Sequence, residues 1–304
     1  MSAVSDDYLV YPHRAYGMDQ ALYPWRPAPA RAPGSWPQAK ALAASVIVLI
    51  EHHSLTPRGR PFKHPGAMQT PYPDLRHYTT RDYGNRVGVY RILDALKAAG
   101  LQATFPVNAC ILARYPALIG AIAADGHEIA AYGVSTDDIH WSGLEAGEEE
   151  RLVAETRAAF EQAGLAPRAW MSPARQQSFE TPHLIRAAGF DICLDWEQDS
   201  APVMMATRTG GLWALPVMNE LDDRKLLIDQ RQSEEDWARQ ILTARDALIE
   251  EASRSGRQTL AFTLTPYVIG QPFRIAALRQ VFAGLSAHDA VWATTASRMI
   301  EALA

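Results

Sequence analysis

The sequence predicts an α/β protein wound around a parallel sheet. Short apolar, β-rich runs alternate with segments of helical period along most of the chain, and strands separated by helices pair in parallel. The first run, residues 45–50, is almost continuously apolar, as a strand buried on both faces should be. With 304 residues, 48% of them hydrophobic, the chain can bury one sizeable core, and α/β barrels of this length are commonly single domains.

Each element follows from local pattern. Val87, Tyr90, Leu93 and Leu96 recur at helical spacing and stop at Gly100, a glycine placed to cap. Residues 103–107 read as the next strand, 116–124 as a short helix and 127–132 as the third strand. Residues 148–162 are predicted helical, with Leu152, Val153 and Phe160 inward and an acidic first turn at the positive end of the dipole. Strands at 169–171 and 191–194 flank a helix that should start with Thr181 as cap and Pro182 in the first position. Residues 233–253 open with Ser233 and Asp236 in capping-box spacing and carry the stripe Trp237, Ile241 and Leu248. A strand at 259–264, a helix at 274–285 and a closing strand at 291–293 complete the pattern, and no internal repeat is found.

Residues 1–40 form an arm ahead of a barrel domain at 41–304. In the arm Tyr11, Tyr16, Tyr23, Trp25 and Trp36 are interleaved with Pro12, Pro24, Pro27, Pro29, Pro33 and Pro37. Proline at this density forbids a regular helix or central strand, yet the aromatics are too many for a solvated tail. An extended arm is expected, laying its rings on its own barrel or on a neighbouring subunit. A net charge of -5 with no Lys or Arg run argues against nucleic acid as a partner. The acidic start has no apolar core of a signal peptide, and no stretch approaches the roughly 20 apolar residues of a membrane span. The expectation is a cytoplasmic protein without membrane partners. Cys110 and Cys193 lie in apolar segments without a partner motif and read as buried and reduced.

Five strings then fall in order: Arg81-Asp82-Tyr83-Gly84-Asn85-Arg86, Gly126-His127-Glu128-Ile129-Ala130-Ala131, Trp170-Met171-Ser172-Pro173, Asp195-Trp196 and Ile269-Gly270-Gln271-Pro272. Together they resemble the polysaccharide deacetylases (carbohydrate esterase family 4), and more closely the branch holding metal-independent allantoinases and some peptidoglycan deacetylases. The resemblance covers roughly residues 45–300. It implies a distorted (β/α)7-type barrel, an active site at the carboxyl ends of the strands, a homo-oligomer (commonly a tetramer) and hydrolysis of an amide C–N bond. In the metal-dependent members, the resemblance implies, an Asp-Asp pair after the first strand supplies a base and a metal ligand. Two histidines after the third strand complete the metal site, and a Leu-His-Pro string supplies a general acid. Such a metal polarises the carbonyl and lowers the pKa of water.

This chain departs at those positions. Glu51-His52 stands for the Asp-Asp pair, Tyr132 and Thr136 for the histidines, and Leu264-Thr265-Pro266 for Leu-His-Pro. A catalytic zinc needs about three protein ligands, so neither metal nor other cofactor is expected.

Glu51 directly follows a buried strand, at the barrel end where polar residues tend to be functional, and reads as a base or orienting group. Of the adjacent His52 and His53, one must point away; His52 is in register with the family's pair. His127 precedes its strand and reads as structural. Tyr132, Asp137, Asp138, His140 and Trp141 leave the third strand together, either as an acid–base pair with a stacking surface or as an ordinary polar loop. Arg175 can hold a substrate carboxylate or carbonyl in its planar fork, or make a structural ion pair. Ser172 lacks the G-x-S-x-G elbow. Asp195 and Trp196 end the next strand, read as a catalytic carboxylate and a binding ring. Residues 219–223 hold three carboxylates, and crowding would raise the pKa of one enough to make a general acid, with Glu220 and Asp223 as candidates. Thr265 can bind substrate but cannot serve as an acid.

The leading reading is a hydrolase of a non-peptide C–N bond in a small amide, cyclic imide or N-acetylated molecule. Carboxylates around Glu51, Asp195, Glu220 and Asp223 would replace the metal. The other reading is a catalytically degenerate binding module or partner subunit. Loss of the family histidines favours that second reading, and their replacement by polar side chains opposes it.

Overall fold

The computed structural model describes residues 14–15, 18–58 and 71–303; Tyr11, Pro12 and Tyr16 of the arm lie outside them. The strands among these residues are β1 (Leu42–Val48), β2 (Thr104–Val107), β3 (Glu128–Ala131), β4 (Ala169–Trp170), β5 (Ile192–Cys193), β6 (Val203–Thr207), β7 (Gly210–Ala214), β8 (Gln258–Leu264) and β9 (Val291–Ala293). The helices are α1 (Leu75–Tyr83), α2 (Val89–Ala99), α3 (Ala109–Arg114), α4 (Pro116–Ala124), α5 (Glu148–Gln162), α6 (Thr181–Ala187), α7 (Glu234–Ser255), α8 (Ile275–Ser286) and α9 (Ala296–Glu301). Among the described residues no helix is long and apolar enough to cross a membrane.

One curled sheet runs in the order β6-β7-β5-β4-β3-β2-β1-β8, with β9 pairing the start of β1. All pairings are parallel except the β6–β7 hairpin, which is antiparallel and corrects the expectation of parallel pairing throughout. Thr207 and Gly210 close that hairpin too tightly for an intervening helix.

Side chains alternate across the sheet. Ala44, Val46, Val48 and Ile50 face the helices, together with Phe105, Trp170 and Phe262. Ala43, Ile47 and Leu49 face the lumen, joined by Ala130, Tyr132, Met171, Leu194, Leu215 and Val217. Both faces of β1 are buried, which is why its sequence shows no polar alternation.

The caps bear out the reading in part. Gly100 takes a left-handed φ of 66° and its N–H reaches the Leu96 carbonyl, while Ser233 accepts from the Asp236 N–H at 3.1 Å. Thr181 instead sits inside α6, with Glu180 before it. Its hydroxyl accepts from the Ser178 N–H and donates to the buried Glu149 carboxylate, which outcompetes the cap.

The described part of the arm lies on its own barrel. The Ala206 N–H donates to the Leu22 carbonyl at 2.7 Å. Trp36 is 2% exposed, donates Nε1–H to the Gln258 carbonyl at 2.7 Å and meets the Trp292 ring, so it plugs the lumen where β8 and β9 begin. Trp25 remains exposed.

Candidate active site

A cavity of about 890 Å3 opens at the carboxyl ends of the strands, a size suited to a small organic molecule. At its wall stands Glu51, which keeps the lumenal parity of Ile47 and Leu49. The backbone around it is clamped. The Asn85 amide donates to the Glu51 carbonyl at 2.9 Å, Asn108 accepts from the His52 N–H at 2.8 Å, and Thr136 donates to the His52 carbonyl at 2.7 Å. Asn85 belongs to a π-helical turn, Gly84–Gly88, pressed against the segment after β8; a Cβ on Gly88 would lie 2.1 Å from the Pro266 carbonyl oxygen. That close approach accounts for a glycine in the Arg81–Arg86 string's neighbourhood.

Glu51 is buried among three partners. Tyr132 donates its hydroxyl to Oε1 at 3.2 Å, Arg224 brings Nη1 within 3.6 Å of Oε1, and His53 Nε2 lies 3.3 Å from Oε2. Burial pushes the carboxyl up, but Arg224, then His53 and Tyr132, outweigh it and bring it down to about 2. Glu51 is therefore a fixed anion and a weak base.

Arg224 is mounted by two aspartates. Asp222 Oδ1 accepts the N–H groups of Arg224 and Lys225 at 2.7 and 3.1 Å, and its Oδ2 accepts the Thr263 hydroxyl. Asp223 Oδ2 accepts the Thr265 N–H at 2.8 Å. The turn carrying Arg224 is thus pinned to alternate residues at the end of β8.

The structure brings together Glu51, Tyr132 and Arg175 on the cavity wall. Asp195 has the opposite parity from Leu194; its carboxylate accepts from the Ser172 N–H at 2.9 Å and from Gln177. Burial pushes it up to about 6 against those hydrogen bonds. Trp196 donates to Gln177 at 2.7 Å and packs edge-on against Tyr23. Neither lines the cavity.

The 219–223 loop does face the mouth, but through Asn219 and Asp222. Glu220 points to solvent and pairs with Lys225, whereas Asp223 is buried beneath the wall, where burial and then Asp222 push it well up. Thr265 is buried behind the same wall. His52 faces away from the lumen toward Asp82 and Tyr115.

In the loop after β3, Asp137 lines the cavity, while Asp138 is tied to Ser135 and Arg58. His140 is fully buried on Glu149 at 3.2 Å, and Trp141 is exposed beside a separate cleft. His127 accepts from the Ala103 N–H at the opposite end of the sheet, as its place before the strand implied.

Sequence reasoning missed Arg224, Thr263, His77, Arg81 and Tyr267, all on the cavity wall. Arg81 was visible in the first family string. Arg224 carries no local signal beyond its two preceding aspartates.

The family resemblance implies a cation at this place in the metal-dependent members. The side chains here do not fit one: the Tyr132 and Thr136 hydroxyls are committed to Glu51 and to the His52 carbonyl, and His52 faces away. Among the described residues no three His, Cys, Asp or Glu side chains cluster to bind a metal. The positive charge beside Glu51 is a guanidinium.

A curled, mainly parallel sheet with a cavity at the carboxyl ends of its strands defines a barrel-type α/β fold. Residues 70–192 match the family model for polysaccharide deacetylases. A Schizosaccharomyces pombe protein assigned as a polysaccharide deacetylase is 23% identical over 296 residues, covering 88% of this chain and 91% of its own. The crystal structure of Puue allantoinase superposes with a TM-score of 0.80 at 24% identity, covering 96% of this chain and 97% of that one. A Pseudomonas aeruginosa PAO1 protein assigned to the polysaccharide deacetylases gives 0.79 at 24% identity, with the same coverage. Residues 70–192 therefore resemble the polysaccharide deacetylases in sequence, and the chain shares the fold of these solved structures.

Proposed function

We propose that the protein hydrolyses a C–N bond in a small amide, cyclic imide or N-acetylated molecule without a metal, with His53 as the proton carrier. The observation that carries this reading is the Glu51–His53 pair at 3.3 Å on the cavity wall, with Arg224 beside it. In the proposed step His53 takes a proton from water as the water oxygen bonds to the carbonyl carbon. Glu51 holds the ring in place and stabilises its charged form, and Arg224 supplies positive charge for the developing oxyanion. The imidazolium then gives its proton to the departing nitrogen as the C–N bond breaks. The cavity's volume suits a small molecule better than a polymer. The two free cysteines suit a reducing, cytoplasmic setting, and a homo-oligomer is part of the same reading.

The test is a screen of amides, hydantoins and N-acetyl sugars with chelator-treated protein, alongside elemental analysis. Turnover that survives chelation and is lost in His53→Gln supports the reading. Turnover that needs one added metal per chain overturns it.

A further inference from the structure

We infer that the substrate carries a carboxylate and that Arg175 receives it; this rests on the hydrolase reading above. Arg175 and the preceding Ala174 both adopt a left-handed φ of 55°, which is uncommon for residues with a Cβ and costs on the order of 1 kcal/mol or more at each. Two such residues in succession project the Arg175 side chain from the end of β4 onto the cavity wall. One arm of the guanidinium is fixed: Nη2 donates to the Val217 carbonyl at 2.7 Å and to the Asp195 carbonyl at 3.4 Å. Nη1 is buried and has no hydrogen-bond partner. A guanidinium anchored at one nitrogen with the other unanswered is prepared for a planar oxyanion.

Arg175 feels the charge of the nearby Asp195 carboxylate, but no carboxylate oxygen hydrogen-bonds to it. The Asp195 carboxylate is taken up by Ser172 and Gln177, Glu51 has Arg224, and Glu220 has Lys225. Arg175 meets only carbonyl oxygens by hydrogen bond. It also comes from the end of β4, whereas Glu51 follows β1, with β2 and β3 between them in the sheet. One part of a small molecule can therefore be anchored by charge while another is presented to His53. The class implied is an N-acyl or N-carbamoyl amino acid, or a ring-opened relative with a free carboxylate.

The test compares N-acetylglycine with N-acetylglycinamide, which differ only in that charge, on wild-type protein, Arg175→Gln and Arg175→Lys. Calorimetry reads binding, and acetate release reads hydrolysis. The wild type should prefer N-acetylglycine roughly ten- to hundredfold. Arg175→Gln should erase the preference through KM with kcat retained, and Arg175→Lys should keep part of it. Charge-selective binding without acetate release would support the carboxylate site while overturning the hydrolase reading. No preference in the wild type, or binding of neither probe, would overturn the carboxylate site. So would equal loss for both probes in Arg175→Gln, which would make Arg175 a strut between loops.

Discussion

His53 and Glu51, two residues apart on one extended segment, face the same side and meet at 3.3 Å between Nε2 and Oε2. The intervening His52 faces the opposite side, toward Asp82. Replacing His53 by Gln keeps a polar side chain of similar reach but removes the proton carrier. Turnover of a confirmed amide substrate should fall by about 10²–10⁴-fold, with the melting temperature nearly unchanged. Steady-state kinetics and a thermal melt check both halves.

Glu51→Gln should behave differently, because the carboxylate is buried against Arg224. Removing one partner strands the other's charge, and a loss of roughly 3 kcal/mol is expected in chemical denaturation. Its pH dependence has a definite sign. The folded carboxyl titrates at about 2 instead of its ordinary 4.5, so its stabilisation is full above 4.5 and lost as pH falls toward 2. In Glu51→Gln that acid-side slope should be shallower.

Asp195 predicts the opposite slope. Its folded value of about 6 lies above the ordinary 3.8, so the folded protein keeps a proton that the unfolded chain has released. Stability should decline as pH rises from about 4 to about 6. Asp195→Asn should flatten that decline, measured by denaturation across this range.

How legible the site was depends on the element. The helix ends at Gly100 and Ser233 follow from local chemistry and stand where the sequence put them. Glu51 was found because it follows a long apolar run. Its face was not, since a strand buried on both sides carries no polar alternation from which to tell His52 from His53. That Asp195 lies off the cavity wall was hidden for the same reason: Cys193, Leu194 and Asp195 read alike from either face. Arg224 is mounted by Asp222 and Asp223 on β8, a partner 41 residues along the chain, and such long-range pairing leaves no local period to read.

Trp36 was expected to lie on a surface, and it fills the lumen floor. Trp36→Ala should cost about 3–5 kcal/mol, as for large aromatic truncations in a core. A truncation ending before Trp36 should cost far less. Comparable denaturation midpoints for Trp36→Ala and wild type would show that the floor packs without it.

The alternating faces after β1 have a consequence for how this chain can vary through descent. A substitution at Glu51 or His53 changes one group and leaves the other in place. One inserted or deleted residue between Val48 and Glu51 would rotate the whole run by half a turn, sending the dyad out among the helices and Ile50 or His52 inward. Length, more than identity, is therefore the guarded property of this segment. Relatives that differ here should exchange residues while conserving the count between the strand and the site.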